Sequence, residues 1–214
     1  EEVQTLIHRI QPREQVEAAV RALRSAGISR INMDVMYGLP AQTIGRVETT
    51  ARAVAEMDAD RVSVFGYAHV PWFKKHQRAI PEDRLPGAQA RFDQMLAAAR
   101  TFTEAGYSAI GFDHFARPED PLAQAARDGS LRRNFQGYTV DSADALIGLG
   151  ASSIGQTPEG YVQNVPATAE YQRRVTEGRL ATERGFELGR DDPSDVTEPH
   201  GSAGHDVAAG GGRG

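Results

Sequence analysis

Two groups of side chains in this chain have the types and spacing to do chemistry. The first lies between Gly111 and Gly155, GFDHFARPEDPLAQAARDGSLRRNFQGYTVDSADALIGLGASSIG, where a short apolar run ends at Asp113 and His114. A turn-rich passage then brings Arg133, Asn134, Gln136 and Tyr138 together ahead of residues 146–150. Polar groups packed so densely beside small residues read as the wall of a ligand site; the plainer reading is a loop that caps itself with its own side chains. The second group is spread along the chain: Asp34, then Tyr67 and His69, then Asp113 and His114, each at the end of an apolar run. Carboxylates and imidazoles of this kind are hard donors that could serve a zinc- or manganese-dependent hydrolase, or line the site of an organic ligand.

The elements that must position these groups follow from periodicity. Pro12 and Gly27 bracket a helix with Val16, Val20 and Leu23 on one stripe, which should lie on a sheet. Residues 28–36 read as a strand ending in Asp34 and then the turn Tyr37-Gly38-Leu39-Pro40. A second helix carries Val47, Ala51 and Val54, and residues 61–67 are a second strand. The third unit is a long helix with Phe92, Met95, Leu96, Ala99 and Phe102, closed by Gly106, followed by a strand over 107–112. This alternation predicts parallel strands joined by helical crossovers. In a parallel α/β barrel the carboxyl ends of the strands face the active site, so the three polar strand ends would converge on one mouth. Three units do not close a barrel, which leaves sheet edges to be covered by further sequence or by a partner.

Between the second strand and third helix, HVPWFKKHQRAIPEDRLPG is a long excursion in which Pro71, Trp72 and Phe73 precede Lys74, Lys75, His76 and Arg78. A cationic patch beside aromatics suits a flat, carboxylate-bearing ligand, with Arg78 able to fork onto a carboxylate; the plainer reading is a solvated charge run.

Composition sets the outer bounds. A chain of 214 residues that is 40% hydrophobic can bury one sizeable core with an appendage. A net charge of −5 argues against a nucleic-acid surface, and no apolar run reaches the roughly 20 residues of a membrane span. The N-terminus does not read as a signal peptide, so a cytoplasmic location is expected. With no cysteine, the sequence cannot form disulfides or hold an iron–sulfur cluster.

The strings DVMYGLPAQT, FGYAHVPWFKKHQR, AIGFDHFA, RRNFQGYT and LIGLGASSIG, in this order, resemble the oxygen-independent coproporphyrinogen III oxidase (dehydrogenase) family of radical S-adenosylmethionine enzymes, over Glu1 to Thr182. The resemblance implies an α/β fold, a partial (β/α) barrel of three βα units from an open TIM-like barrel. It implies oxidative decarboxylation of coproporphyrinogen III to protoporphyrinogen IX, with S-adenosylmethionine and a [4Fe–4S] cluster as cofactors and an electron donor for the cluster as partner. By matching motifs, Arg9 in IHRIQP, Asp34 in INMDVMYGLP, Ala68 in FGYAHVP and Ile154 in GASSIG correspond to S-adenosylmethionine contacts, with Phe135 and Gln136 beside them; Arg78 would grip a propionate. Arg132 stands where the family commonly has His, and Phe112 where Met is common. The family's CxxxCxxC cluster motif is missing, so the chain alone is expected to be inactive. Haem-chaperone paralogues share the barrel, but NFQGYT favours the dehydrogenase; a non-catalytic tetrapyrrole- or S-adenosylmethionine-binding module is the alternative from another class.

From Glu183 onward the character changes: residues 183–214 hold eight of the 22 glycines and few large apolar residues. Such a tail cannot bury enough surface to offset its ordering entropy, and is expected to be disordered or the product of a shifted reading frame.

Overall fold

The computed structural model describes residues 1–134 and 137–189. They fall into two compact units, Glu1–Ala126 and the segment from Arg127 onward. In the first, α1 (Glu2–Leu6) and α2 (Arg13–Ser25) precede β1 (Asn32–Tyr37), α3 (Ile44–Glu56) and β2 (Arg61–Gly66). Two 3-10 turns, Lys75–Ala79 and Glu82–Arg84, then lead to α4 (Ala88–Glu104), β3 (Ser108–Ile110), β4 (His114–Ala116) and α5 (Pro121–Asp128).

The α/β class and the first parallel crossover hold: β1 and β2 pair parallel, Asn32 beside Arg61 through Tyr37 beside Gly66. The third strand differs from expectation. It stops at Ile110, turns through Gly111 at φ +58°, and returns as β4, antiparallel to both β3 and β2, giving the order β1-β2-β4-β3. The reversal is local chemistry, since Gly111 takes the left-handed conformation and the Asp113 carbonyl accepts from the Val64 N–H at 2.7 Å, pulling the return strand against β2. The sheet is therefore mixed, and His114 begins a strand instead of ending one.

The core lies between the sheet and α3 and α4. Thr43 caps α3, its hydroxyl accepting from Arg46 N–H at 3.3 Å, and Val47, Ala51 and Val54 are buried at i, i+4 and i+7. They meet Val35, Val62, Val64 and Phe115 of the sheet and Ala98 and Phe102 of α4. Phe102 is fully buried between Phe115 and Tyr107, with ring centroids 5.3 Å and 5.6 Å away. Burial of a side chain that large stabilises by about 3 kcal/mol. By contrast α2 buries no residue fully: Val16 and Val20 are half-buried and Leu23 is 40% exposed, so the predicted stripe only grazes its neighbours.

In the second unit, β5 (Arg132–Asn134) and β6 (Gly137–Thr139) form a hairpin pair, and β7 (Ile154–Thr157), β8 (Gly160–Asn164) and β9 (Thr182–Glu187) an antiparallel meander, with α6 (Thr168–Thr176) between β8 and β9. Asn164 Nδ2 donates to the Gly148 and Gly150 carbonyls at 3.0 Å each, and the Gly150 N–H donates to the Tyr171 hydroxyl at 2.9 Å, pinning the loop that leads into β7. Residue Glu183, where the tail was expected to begin, lies inside β9. That strand is held by its backbone ladder to β8 while every one of its side chains stays exposed, which is why the hydrophobic pattern gives no sign of it. Residues 190–214 lie outside the described residues.

Candidate functional site

The pleat of β1 divides its side chains cleanly. Met33, Val35 and Tyr37 pack toward the helices, leaving Asn32, Asp34 and Met36 on the opposite face. The in-register pairing extends that face across the sheet: Arg61, Ser63 and Phe65 stand beside them, and His114 stands opposite Ser63. Asp34 thus sits at mid-strand, three residues before β1 ends, and not at the strand end expected from sequence. Its Oδ1 accepts from Asn32 Nδ2 at 2.8 Å, and Asn32 Oδ1 accepts from the Ser63 hydroxyl at 3.3 Å. His114 Nδ1 shares a 2.6 Å hydrogen bond with Asp113, and its ring meets Phe65 edge-on at 6.2 Å. Phe65 is 39% and Met36 44% exposed, so the face offers acidic, hydroxyl and imidazole groups within an apolar margin.

The segments beyond β1 and β2 are held by two buried amides that the sequence reading passed over. Gln94 accepts from the Gly38 N–H at 2.9 Å and donates to the Gln42 carbonyl at 2.6 Å, fixing the turn after β1. Gln77 accepts from the Val70 N–H at 2.6 Å and donates to the Ala68 carbonyl at 3.0 Å, fixing the chain after β2 and leaving the Ala68 methyl exposed. The available signal for Gln94 was its place in the α4 stripe with Ala98 and Thr101, where a buried amide must find two partners. Tyr67 is buried and shares a 3.0 Å hydrogen bond with His69 Nδ1; burial raises the tyrosine hydroxyl above its ordinary value.

Arg9 is exposed in the loop after α1, its backbone N–H bound to the Gln4 carbonyl at 2.9 Å and its guanidinium without a hydrogen bond or ion pair among the described residues. Arg78 is likewise exposed on the Lys75–Ala79 turn, in the excursion that carries Trp72 and Phe73, which are 74% and 73% exposed. Lys74 Nζ lies 4.9 Å from the Phe73 ring centre. Asp34, His69, Asp113 and His114 are not assembled as a hydrolase metal site would require: among the described residues no three His, Cys, Asp or Glu side chains come together to hold an ion. The reason is local, since His69 turns to Tyr67 and Glu82 while Asp113 and His114 pair with each other.

In the second unit Ile154 is half-buried on β7, opposite Gln163 of β8, and lines an apolar cavity of about 360 Å³ with Tyr161, Val162, Arg184 and Phe186. Gly148 lets the backbone come close, because a Cβ there would sit 2.8 Å from the Ile154 carbonyl group. Phe135 and Gln136 lie outside the described residues. Beside them, Arg133 packs over Tyr138 at 5.5 Å.

By residue type alone the first unit offers groups that S-adenosylmethionine would need: a guanidinium at Arg9 for a carboxylate, the Asp34 carboxylate on an open face for hydroxyls, and an exposed small residue at Ala68. It does not fit a [4Fe–4S] cluster, for there is no thiolate to hold one.

No family model matches the chain. It is 52% identical over 190 residues to oxygen-independent coproporphyrinogen III oxidase of Bradyrhizobium diazoefficiens, and 46% identical over 191 residues to that of Paracoccus denitrificans. In each case the match takes in 89% of this chain and 42% of the relative, so the chain spans about two fifths of the length of these curated relatives. Among solved structures, coproporphyrinogen III oxidase from Escherichia coli, a radical SAM enzyme, superposes with a TM-score of 0.82 at 42% identity, over 90% of this chain and 44% of that one. No helix among the described residues is long and apolar enough to cross a membrane. With sequence and fold in agreement along nearly all of its described length, the chain is similar to about two fifths of the length of the oxygen-independent coproporphyrinogen III oxidases.

Proposed function

We propose that this chain supplies one wall of the S-adenosylmethionine site and part of the substrate mouth of a coproporphyrinogen III oxidase. The observation that carries the reading is Asp34, a carboxylate on the open sheet face with one oxygen fixed by Asn32. Asp34 accepts from the ribose hydroxyls, Arg9 holds the methionyl carboxylate, and Ala68 gives the adenosyl group a small surface. Arg78, among Trp72, Phe73, Lys74 and Lys75, holds a propionate of coproporphyrinogen III.

In the full-length relatives S-adenosylmethionine and a [4Fe–4S] cluster would supply the radical chemistry of the oxidative decarboxylation. The residues of this chain bind and orient; none of them holds the cluster. The polypeptide by itself is therefore expected to bind without turning over, in the cytoplasm and apart from nucleic acid or membrane. The second reading is a non-catalytic tetrapyrrole- or S-adenosylmethionine-binding module.

The test is calorimetry of the purified chain with S-adenosylmethionine, alongside Asp34→Ala. Micromolar binding that weakens about tenfold or more in the variant supports the site. Equal affinity in both proteins, or no binding by the natural chain, overturns it. Turnover on adding the cluster-bearing part of a relative would separate the oxidase reading from the binding module.

A further inference from the structure

The Arg9 guanidinium is unpaired among the described residues, yet the backbone that carries it is closely held. His8, at φ +54°, takes the left-handed conformation that turns the chain off the end of α1. The turn is closed by the His8 N–H on the Thr5 carbonyl at 3.1 Å and the Arg9 N–H on the Gln4 carbonyl at 2.9 Å. A residue with a Cβ is strained in that conformation, so its surroundings must hold it there. Gln4 does this with its side chain as well: the amide donates to the Gln11 carbonyl at 2.8 Å and accepts from the Gln11 N–H at 3.2 Å. One glutamine thus grips the chain on both sides of Ile10 and sets where the Arg9 backbone stands.

α1 buries none of its residues, so packing alone does not set its place. Glu2 supplies an anchor, its Oε2 accepting from Arg46 at 2.6 Å and its Oε1 from Arg84 at 2.7 Å. The same two arginines hold Ala41, a second left-handed residue at φ +56°: Arg46 donates to the Ala41 carbonyl at 2.7 Å, and the Arg84 carbonyl accepts from the Ala41 N–H at 2.8 Å. Ala41 lies in the turn after β1, the strand that carries Asp34. An exposed ion pair is worth little by itself, but here one carboxylate with both oxygens engaged ties α1 to that turn at two points. We propose that Glu2 and Gln4 are positioning residues for Arg9, Glu2 fixing α1 against the turn after β1 and Gln4 setting the Arg9 backbone, so that the guanidinium is presented to the carboxylate of a bound ligand. The proposal rests on the reading of Arg9 above as the anchor of the S-adenosylmethionine carboxylate, and adds what directs that anchor.

The test is calorimetry of the full chain with S-adenosylmethionine and with decarboxylated S-adenosylmethionine, which keeps the adenosine, sulfonium and amine and lacks only the carboxylate. The natural sequence is compared with Arg9→Ala, Gln4→Leu, Glu2→Ala and Glu2→Gln, and circular dichroism melts confirm folding. The natural chain is expected to prefer the carboxylate-bearing ligand about tenfold or more, and Arg9→Ala to lose that preference. Gln4→Leu and Glu2→Ala should each cut the preference about threefold or more while leaving the affinity for the decarboxylated ligand unchanged. Glu2→Gln, which retains one acceptor oxygen, should keep part of it. With Arg9→Ala already in place, Gln4→Leu should change neither affinity further. A residue that serves only the fold would weaken both ligands alike. If Arg9→Ala loses the preference while Gln4→Leu or Glu2→Ala keeps it, or weakens both ligands equally, the Arg9 reading stands and that residue's positioning role is overturned. If the preference survives Arg9→Ala, or the natural chain binds neither ligand, the Arg9 reading falls and both positioning roles with it.

Discussion

Asp34 and Ser63 stand opposite one another in the parallel β1–β2 ladder, on the face turned away from α3 and α4, with Asn32 hydrogen-bonded to both. The relation fixes the carboxylate twice, once by the strand pleat and once by the amide that bridges it to the next strand. Asp34→Asn keeps the shape and one acceptor oxygen but loses the charge. It should therefore weaken S-adenosylmethionine several-fold, while Asp34→Ala weakens it about tenfold or more. Because Asp34 is exposed, neither change should move the melting temperature by more than a degree or two. A large drop in stability with unchanged binding would make it a structural residue instead.

The same face ends at Arg61, whose Nε donates to both carboxylate oxygens of Asp120 at 2.9 and 3.0 Å. Asp120 is buried, with its side chain 2% exposed, and Oδ1 also accepts from the Leu122 N–H at 2.8 Å, so it caps the start of α5 as well. Removing the arginine leaves a buried carboxylate with one partner gone. Arg61→Ala should cost about 3 kcal/mol by urea unfolding, and Asp120→Asn less, because the amide oxygen can still cap the helix while no charge stays buried. Equal costs for the two would show that the carboxylate left buried by Arg61→Ala carries no penalty beyond loss of the ion pair.

Asp60 links folding to acid. Burial alone would raise its carboxyl, but the Ile31 N–H at 2.8 Å and the Arg24 guanidinium at 2.7 Å outweigh that and hold it below the ordinary value. A carboxyl lowered by folding stabilises fully above its unfolded value, near 4, and that contribution is lost as pH falls through the lower folded value. Unfolding free energy measured between pH 7 and pH 3 should therefore decline below about pH 4, and the decline should be shallower in Asp60→Asn. The same slope in both proteins would place the acid sensitivity elsewhere.

What could be read in the sequence follows from what each residue's pattern encodes. Val47, Ala51 and Val54 announce α3 because a helical period of apolar residues has no other use, and β1 is announced by its apolar run and by the turn at Gly38 after it. The Gly111 turn was hidden because residues 107–116 are mostly apolar with Ser108, Gly111, Asp113 and His114 to break them, and a hairpin of three-residue strands has no period to detect. β9 was hidden for the opposite reason, as its side chains are all exposed and only its backbone is paired. The acidic and basic members of the site, Asp34, Arg9 and Arg78, could be named from the motifs, whereas Gln4, Gln77 and Gln94 could not. Their importance lies in which backbone groups they meet after folding.

The last prediction concerns how Ile154 is held. Gly148 lies so near that a Cβ on it would come 2.8 Å from both the carbonyl carbon and oxygen of Ile154 and 3.0 Å from the Ser153 Cβ. Backbone atoms cannot swing aside as a side-chain end can, so Gly148→Ala must push β7 or the 146–150 loop, and that loop is pinned by Asn164 and Tyr171. The expected cost is about 1–3 kcal/mol of stability, as for overpacking elsewhere. Gly45→Ala is the matched control: it lies in the first turn of α3 with no atom within 4 Å of the added methyl, and should be neutral or stabilising by about 0.5–1 kcal/mol. If Gly148→Ala behaves like Gly45→Ala, the approach of the loop to β7 is not tight in solution. Ile154 would then owe its position to the β7–β8 ladder alone.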